Sequence, residues 1–208
     1  MSRVTITGLF DNPQDAADAR RDIEAFGISH NDIGLLAHGS EYAARDTTSD
    51  SSDAASGAGT GAGIGTVLGG GAGLLTGLGI MAIPGVGPIV AAGWLAATLA
   101  GAAAGAVAGG ATGGLIGAMT DSGVDENSAH VYAEGVRRGG TLLTVQVEED
   151  QAARVEEIFL ENGAVDAAAR GEAYRTSGWT RYDPAAPAYT PEEIARERDL
   201  YGRGDTRI

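Results

Sequence analysis

Val4-Thr5-Ile6-Thr7-Gly8-Leu9-Phe10-Asp11-Asn12-Pro13 decides how the chain is read. Residues 4–10 are rich in β-branched side chains and alternate in polarity, which is the pattern of a strand. Asp11-Asn12 then opens a helix, and Pro13 suits the first helical position, where no N–H is needed. Ala16, Ala19, Ile23 and Phe26 recur at helical spacing, and Gly27 supplies a left-handed stop. Ile33 to Ala37 is a second strand. The opening is a strand-helix-strand unit.

A diverged copy of this pattern lies near the other end. Asp125 to Arg138 predicts a helix with Val131, Tyr132 and Val136 on one side, ended by Gly139-Gly140. Thr141 to Val147 alternates as a strand. An acidic cap near Asp150 starts a helix carrying Ala152, Val155, Ile158 and Phe159, stopped by Asn162-Gly163, and Val165 to Ala169 reads as a short final strand. Two split βαβ repeats predict an α+β fold, a ferredoxin-like sandwich with an antiparallel sheet and helices on one face. The expected domain comprises residues 2–38 and 125–170.

What interrupts it is a tract of 67 residues, Ala54 to Thr120, without a charged side chain or histidine. Glycine recurs there every fourth position at Gly57, Gly61, Gly65, Gly69, Gly73 and Gly77. After a turn at Pro84, Gly85, Gly87 and Pro88, the beat returns at Gly93, Ala97, Gly101, Gly105, Gly109, Gly113 and Gly117. Glycine inside a helix costs about 1 kcal/mol relative to alanine. Close backbone approach is what offsets such a cost. Residues 57–120 are therefore expected to form a glycine-zipper helical hairpin, these glycines being its helix-packing and oligomerisation stripe. A polar linker, residues 39–56, leads into it.

The outer faces of such a hairpin must meet lipid or other copies of the same hairpin. Each arm exceeds the roughly 20 apolar residues that cross a bilayer. Against lipid stand the Gly/Ala composition, the acidic flanks (Asp46, Asp50, Asp53, Asp121, Asp125, Glu126) and the lack of an aromatic belt. The tail, residues 171–208, is expected to be extended apart from a short helix 191–201, which Thr190-Pro191-Glu192-Glu193 opens as a capping box.

Net charge is −14, with 14 arginines and no lysine. The acidic balance argues against nucleic acid as a partner. Without lysine there is no P-loop lysine, Schiff base or Ser-Lys dyad. Without cysteine there is no disulfide or thiolate metal site. Met1 to Thr7 lacks an apolar signal-peptide core, so export by a cleaved signal is not expected. Gly-x-Gly-x-x-Gly matches abound in the tract, but none follows a strand with an acid about 20 residues on. His30, His38 and His130 have no metal-ligand spacing. Arg203-Gly204-Asp205 is a chance-level adhesion tripeptide. Asp11, Asp15, Asp18 and Asp22, and also Glu148, Glu149 and Asp150, read as a solvated face and a cap. Arg137-Arg138 complements a helix C-terminus, with an anion site as the sharper alternative. No catalytic residue, cofactor or metal is expected.

Three stretches together carry a resemblance: Val4 to Phe10 with its acidic turn, Ile83-Pro84-Gly85-Val86-Gly87-Pro88, and Tyr132-Ala133-Glu134-Gly135-Val136-Arg137-Arg138-Gly139-Gly140. Over about residues 3–170 the chain resembles bacterial heat-induced general stress proteins of the seventeen-M type. The resemblance implies a stress-response protein of unassigned activity, with no catalytic residues to carry over. The expected function is non-enzymatic: a homo-oligomer formed through the hairpin at or in a membrane, with the lipid bilayer as partner and the globular domain on the cytoplasmic side. Two alternatives stand beside it. One is a soluble, cytoplasmic self-assembling scaffold or shell. The other is a small-ligand-binding regulatory domain using the ferredoxin-like sheet.

Overall fold

The computed structural model describes residues 2–39, 79–83, 86–105 and 114–201. It is an α+β protein. Strands β1 (Arg3–Phe10), β2 (Ile33–His38), β4 (Gly87–Ala92) and β5 (Thr141–Glu148) form the body of one antiparallel sheet, and β3 (Gly79–Ile83) adds its edge in the order β1-β5-β2-β4-β3. β5 therefore lies between β1 and β2. Its register runs from Arg3↔Glu148 to Phe10↔Thr141 on one side and from Ile33↔Val145 to Ala37↔Thr141 on the other.

Alternation along these strands divides the core between two faces. Phe10, Ile33, Leu143, Val145 and Val147 face α1 (Pro13–Phe26) and a later helix, Ala152–Glu161, whose Val155, Ile158 and Phe159 complete that cluster. Phe10 and Phe159 meet edge to face, centroids 5.6 Å apart. Asn12 caps α1 by accepting from the Gln14 N–H at 3.0 Å, with Pro13 following, and Gly27 ends it at φ 104°. These are the caps the opening residues dictate.

Leu9, Leu36, Leu142, Ile89 and Ala91 point to the other face. Three helices cover it: α2 (Trp94–Gly105), α3 (Gly114–Asp121) and α4 (Glu126–Arg137). They contribute Leu95, Leu99, Leu115, Ala118, Met119, Ala133 and Val136. The expectation of helices on one face is thus corrected. The reason is in the strands: both faces of the central ones are apolar, and each must be covered.

The helical-hairpin expectation is corrected over residues 79–92. The turn read at Pro84, Gly85, Gly87 and Pro88 joins two strands, not two helices; Gly87 and Pro88 begin β4, while Pro84 and Gly85 lie outside the described residues. β-Branched residues on both sides of a Pro-Gly turn favour a β-hairpin. The first arm (Gly57, Gly61, Gly65, Gly69, Gly73 and Gly77), most of the 39–56 linker, and Gly109 and Gly113 also lie outside the described residues. The described part of the second arm is spent on the domain's own core as α2 and α3.

The final strand read at Val165 to Ala169 shrinks to one bridge, Leu9↔Val165. Asp166 accepts from the Ala169 N–H at 2.7 Å and so starts a helix instead. With Ala152–Glu161 as α5, this helix is α6 (Ala167–Thr176), and α7 (Pro191–Tyr201) follows. The tail, expected to be extended outside 191–201, is also helical over residues 171–176, and it packs on the domain: Tyr174, Tyr182 and Ile194 are buried.

Candidate functional site

The glycines marked by the sequence have separate fates. Gly93 is a turn residue at φ 71° between β4 and α2, where an added Cβ would sit 1.9 Å from the Ile33 carbonyl oxygen. Gly101 and Gly105 lie in α2, and Gly117 lies in α3 with open space where its Cβ would be. They do not form one described stripe.

The polar chemistry gathers at the two ends of α4. At its C-terminal end the Glu134 carboxylate is fully buried and accepts from Arg137 Nη1 at 3.1 Å and Arg138 Nε at 2.8 Å. Arg138 donates onward to Glu197 of α7 at 3.0 Å and lies 4.2 Å from the Tyr174 ring centre. Arg137 donates to the Pro187 carbonyl at 2.9 Å and stacks on Tyr189. Arg170 of α6 grips Asp11 through two bonds of 2.6 Å and stacks on Tyr201. Burial alone would lower the Arg138 and Arg170 pKa values, but the hydrogen bonds and charge of Glu134 and Glu197, and of Asp11, carry both upward. The arginine pair is thus a clasp for the tail, with its acids supplied from within the molecule.

At the N-terminal end of α4, which Asp125 caps by accepting from the Ser128 N–H at 3.0 Å, Glu126, Asn127 and His130 face the loop that follows α6. Between them runs a groove with two adjoining lobes of about 600 and 300 Å³. These are ordinary sizes for small-molecule pockets. Ile116, Tyr182 and Pro184 line the larger lobe, and Arg175, Trp179 and Arg181 the smaller. His130 Nε2 lies 2.8 Å from Arg181 Nη2. A guanidinium only donates, so this nitrogen accepts and the neutral imidazole carries its proton on Nδ1. Burial, then Arg181, holds the His130 pKa below its ordinary value, against the pull of Glu126.

The other histidines are structural. His30 Nδ1 meets Glu24 at 3.1 Å, and the buried His38 donates from Nε2 to the Val86 carbonyl at 3.1 Å. No group of three or more His, Asp or Glu side chains fit to hold a metal occurs among the described residues. Among the same residues no helix is long and apolar enough to cross a membrane. The acids along α1 are occupied: Asp11 by Arg170, Asp18 by Arg21 and Gln14, and Asp22 by Asn162. The groove was not legible in the sequence. Its two walls are about 50 residues apart and meet only because the tail folds back.

The described residues thus define an α+β module with an internal tail clasp and a polar groove. Comparison with protein-family models, curated proteins and solved structures found no match.

Proposed function

We propose that the chain is a non-enzymatic, stress-associated bacterial protein that homo-oligomerises through the glycine-rich residues 57–77, at or in a membrane, on a ferredoxin-like domain. The observation that carries this reading is where that segment is attached. Residues 40–78 depart from the end of β2 and return at the start of β3, and only β4 separates these strands in the sheet. The two attachment strands are about 10 Å apart by ordinary strand spacing. The domain holds both ends of the segment together, and Gly57 to Gly77 all fall within it. Its 25 uncharged residues, 54–78, need other copies or lipid to cover them.

The ferredoxin-like assignment rests on strand order. With Val165 counted as a fourth strand, the order is the last strand, β1, β5, β2, and α1 and α5 each connect parallel strands separated by one antiparallel neighbour. The stress role rests on the resemblance. Two of the stretches that carry it touch in the fold, where Tyr132 donates to the Thr7 carbonyl at 3.1 Å.

The same attachment favours a second reading, a soluble scaffold whose segments pack only against one another. One bilayer crossing by residues 54–78 would deliver Gly79 to the far side from the sheet it belongs to. Lipid contact would have to be shallow or re-entrant.

Light scattering of the full chain in buffer and in detergent tests the self-association, using Gly65→Leu/Gly69→Leu as the variant. The wild type is expected to be oligomeric and the variant to fall to monomer mass with unchanged circular dichroism; an unchanged mass overturns the reading. Flotation with liposomes separates the membrane form from the soluble one.

A further inference from the structure

We propose that the sheet face carrying Ala37, Val90 and Ala92 is a docking surface for the end of the glycine-rich segment of the same chain, with Leu74, Leu75 and Leu78 seated on it. Ala37 and Val90 stand opposite each other on β2 and β4 and are each 2% exposed, and Ala92 is 4% exposed. A valine on a bare sheet face keeps one side in water, so something covers this face. No described helix supplies an apolar side chain to that cover: the cluster of Ala37 and Val90 gains only Leu35, from the same sheet. α1 and α5 lie over β1 and β5 instead, and spend Ala16, Ala19, Ile23, Val155, Ile158 and Phe159 on the cluster there.

Chain continuity points to the occupant. β3 starts at Gly79, opposite Ala91, so the segment enters the sheet beside the strand that carries Val90 and Ala92. The opposite face is already taken by α2, α3 and α4. Leu75 is four residues from Gly79 and lies within about 14 Å of it however the chain runs. β2 is about 10 Å from β3, so the face is within reach. Composition agrees: three of the four leucines in residues 54–78 fall in the last five positions. The longer alternatives fit less well. Residues 106–113 join α2 to α3 on the opposite face, and residues 202–208 carry the charges of Arg203, Asp205 and Arg207. The docking does not depend on self-association, and it leaves Gly57 to Gly73 for other copies or lipid.

The chain has no cysteine, so a single introduced thiol reports on the face. Val90→Cys in the full chain is compared with Ala195→Cys, at an exposed position of α7, for its rate of reaction with a maleimide at a dilution where light scattering gives monomer mass. Val90→Cys is expected to react at least about a hundredfold more slowly, as a site reached only by local opening does. Adding Leu74→Asp, Leu75→Asp and Leu78→Asp should raise its rate at least about tenfold, because charges cannot be seated on an apolar face. The milder set Leu74→Ala, Leu75→Ala and Leu78→Ala should move the rate in the same direction, with amide protection of β5 unchanged. Three outcomes would overturn the proposal. They are equal rates for Val90→Cys and Ala195→Cys, protection of Val90→Cys unmoved by both sets of substitutions, and protection found only at concentrations that give an oligomer mass. The last would assign the cover to a neighbouring copy.

Discussion

At the scale of single residues, two glycines of the same four-residue beat are held for opposite reasons. Gly93 turns the chain from β4 into α2 with a positive φ, and a Cβ there would collide with the Ile33 carbonyl. Gly93→Ala is expected to cost about 2 kcal/mol or more, since alanine suits neither the dihedral nor the space. Gly117 is in α3 with nothing near its Cβ position. Gly117→Ala should be neutral or stabilising by up to about 1 kcal/mol, because alanine is the better helix former. Urea denaturation of the two variants checks the contrast; similar losses would mean that the regular spacing itself matters to the folded domain. Spacing alone could not separate these cases, because a glycine needed for its dihedral and one lying idle in a helix look alike in sequence.

At the scale of elements, the strands and helices with their own caps were legible. Asn12-Pro13 and Gly27 bound α1, and Thr190 and Glu193 form a reciprocal pair at the start of α7, through bonds of 2.8 and 3.3 Å. What was not legible depended on partners distant in sequence. Residues 94–105 read as an arm seeking lipid or another copy because an apolar helix looks the same whether it meets a bilayer or a sheet. Only the second apolar face of β5 and β2 decides between them. Asp166 does not stand out as a cap in the sequence, because Val165 ahead of it has the pattern of a strand. The tail's packing is likewise tertiary: Ile194 fills the space over Gly139, and Glu197 completes the Arg138 clasp. Ile194→Ala combined with Glu197→Gln is expected to loosen residues 187–201 while leaving β5 protected. Amide hydrogen exchange reads this directly. Loss of protection in β5 as well would show the tail to be part of the main cooperative unit.

At the scale of the whole molecule, two histidines, His38 buried and His130 partly buried, link stability to pH. Burial lowers the folded pKa of His38, with the Val86 carbonyl opposing and Arg198 assisting, and burial with Arg181 lowers that of His130. The unfolded chain therefore takes up protons first as pH falls. This stabilisation is fully present above the unfolded histidine pKa of about 6.5 and is lost as pH falls through the folded values. The melting temperature should drop between pH 7.5 and 5, and His38→Gln with His130→Gln should flatten that slope; an undiminished slope would assign it to other groups. At the alkaline end, burial pushes Tyr132 and Tyr182 up to about 12. Their contribution is intact below pH 10 and is lost as pH rises through 12. The position of β5 between β1 and β2 has a consequence for biosynthesis. The first two strands have no common neighbour until the third quarter of the chain is made, roughly 5–20 s after β2 at ordinary rates of synthesis. In that interval the nascent chain carries its uncharged middle with only the β2-β4-β3 part of the sheet to receive it. The early acids of α1 and of residues 46–53 are then its main protection against sticking to its neighbours on the polysome.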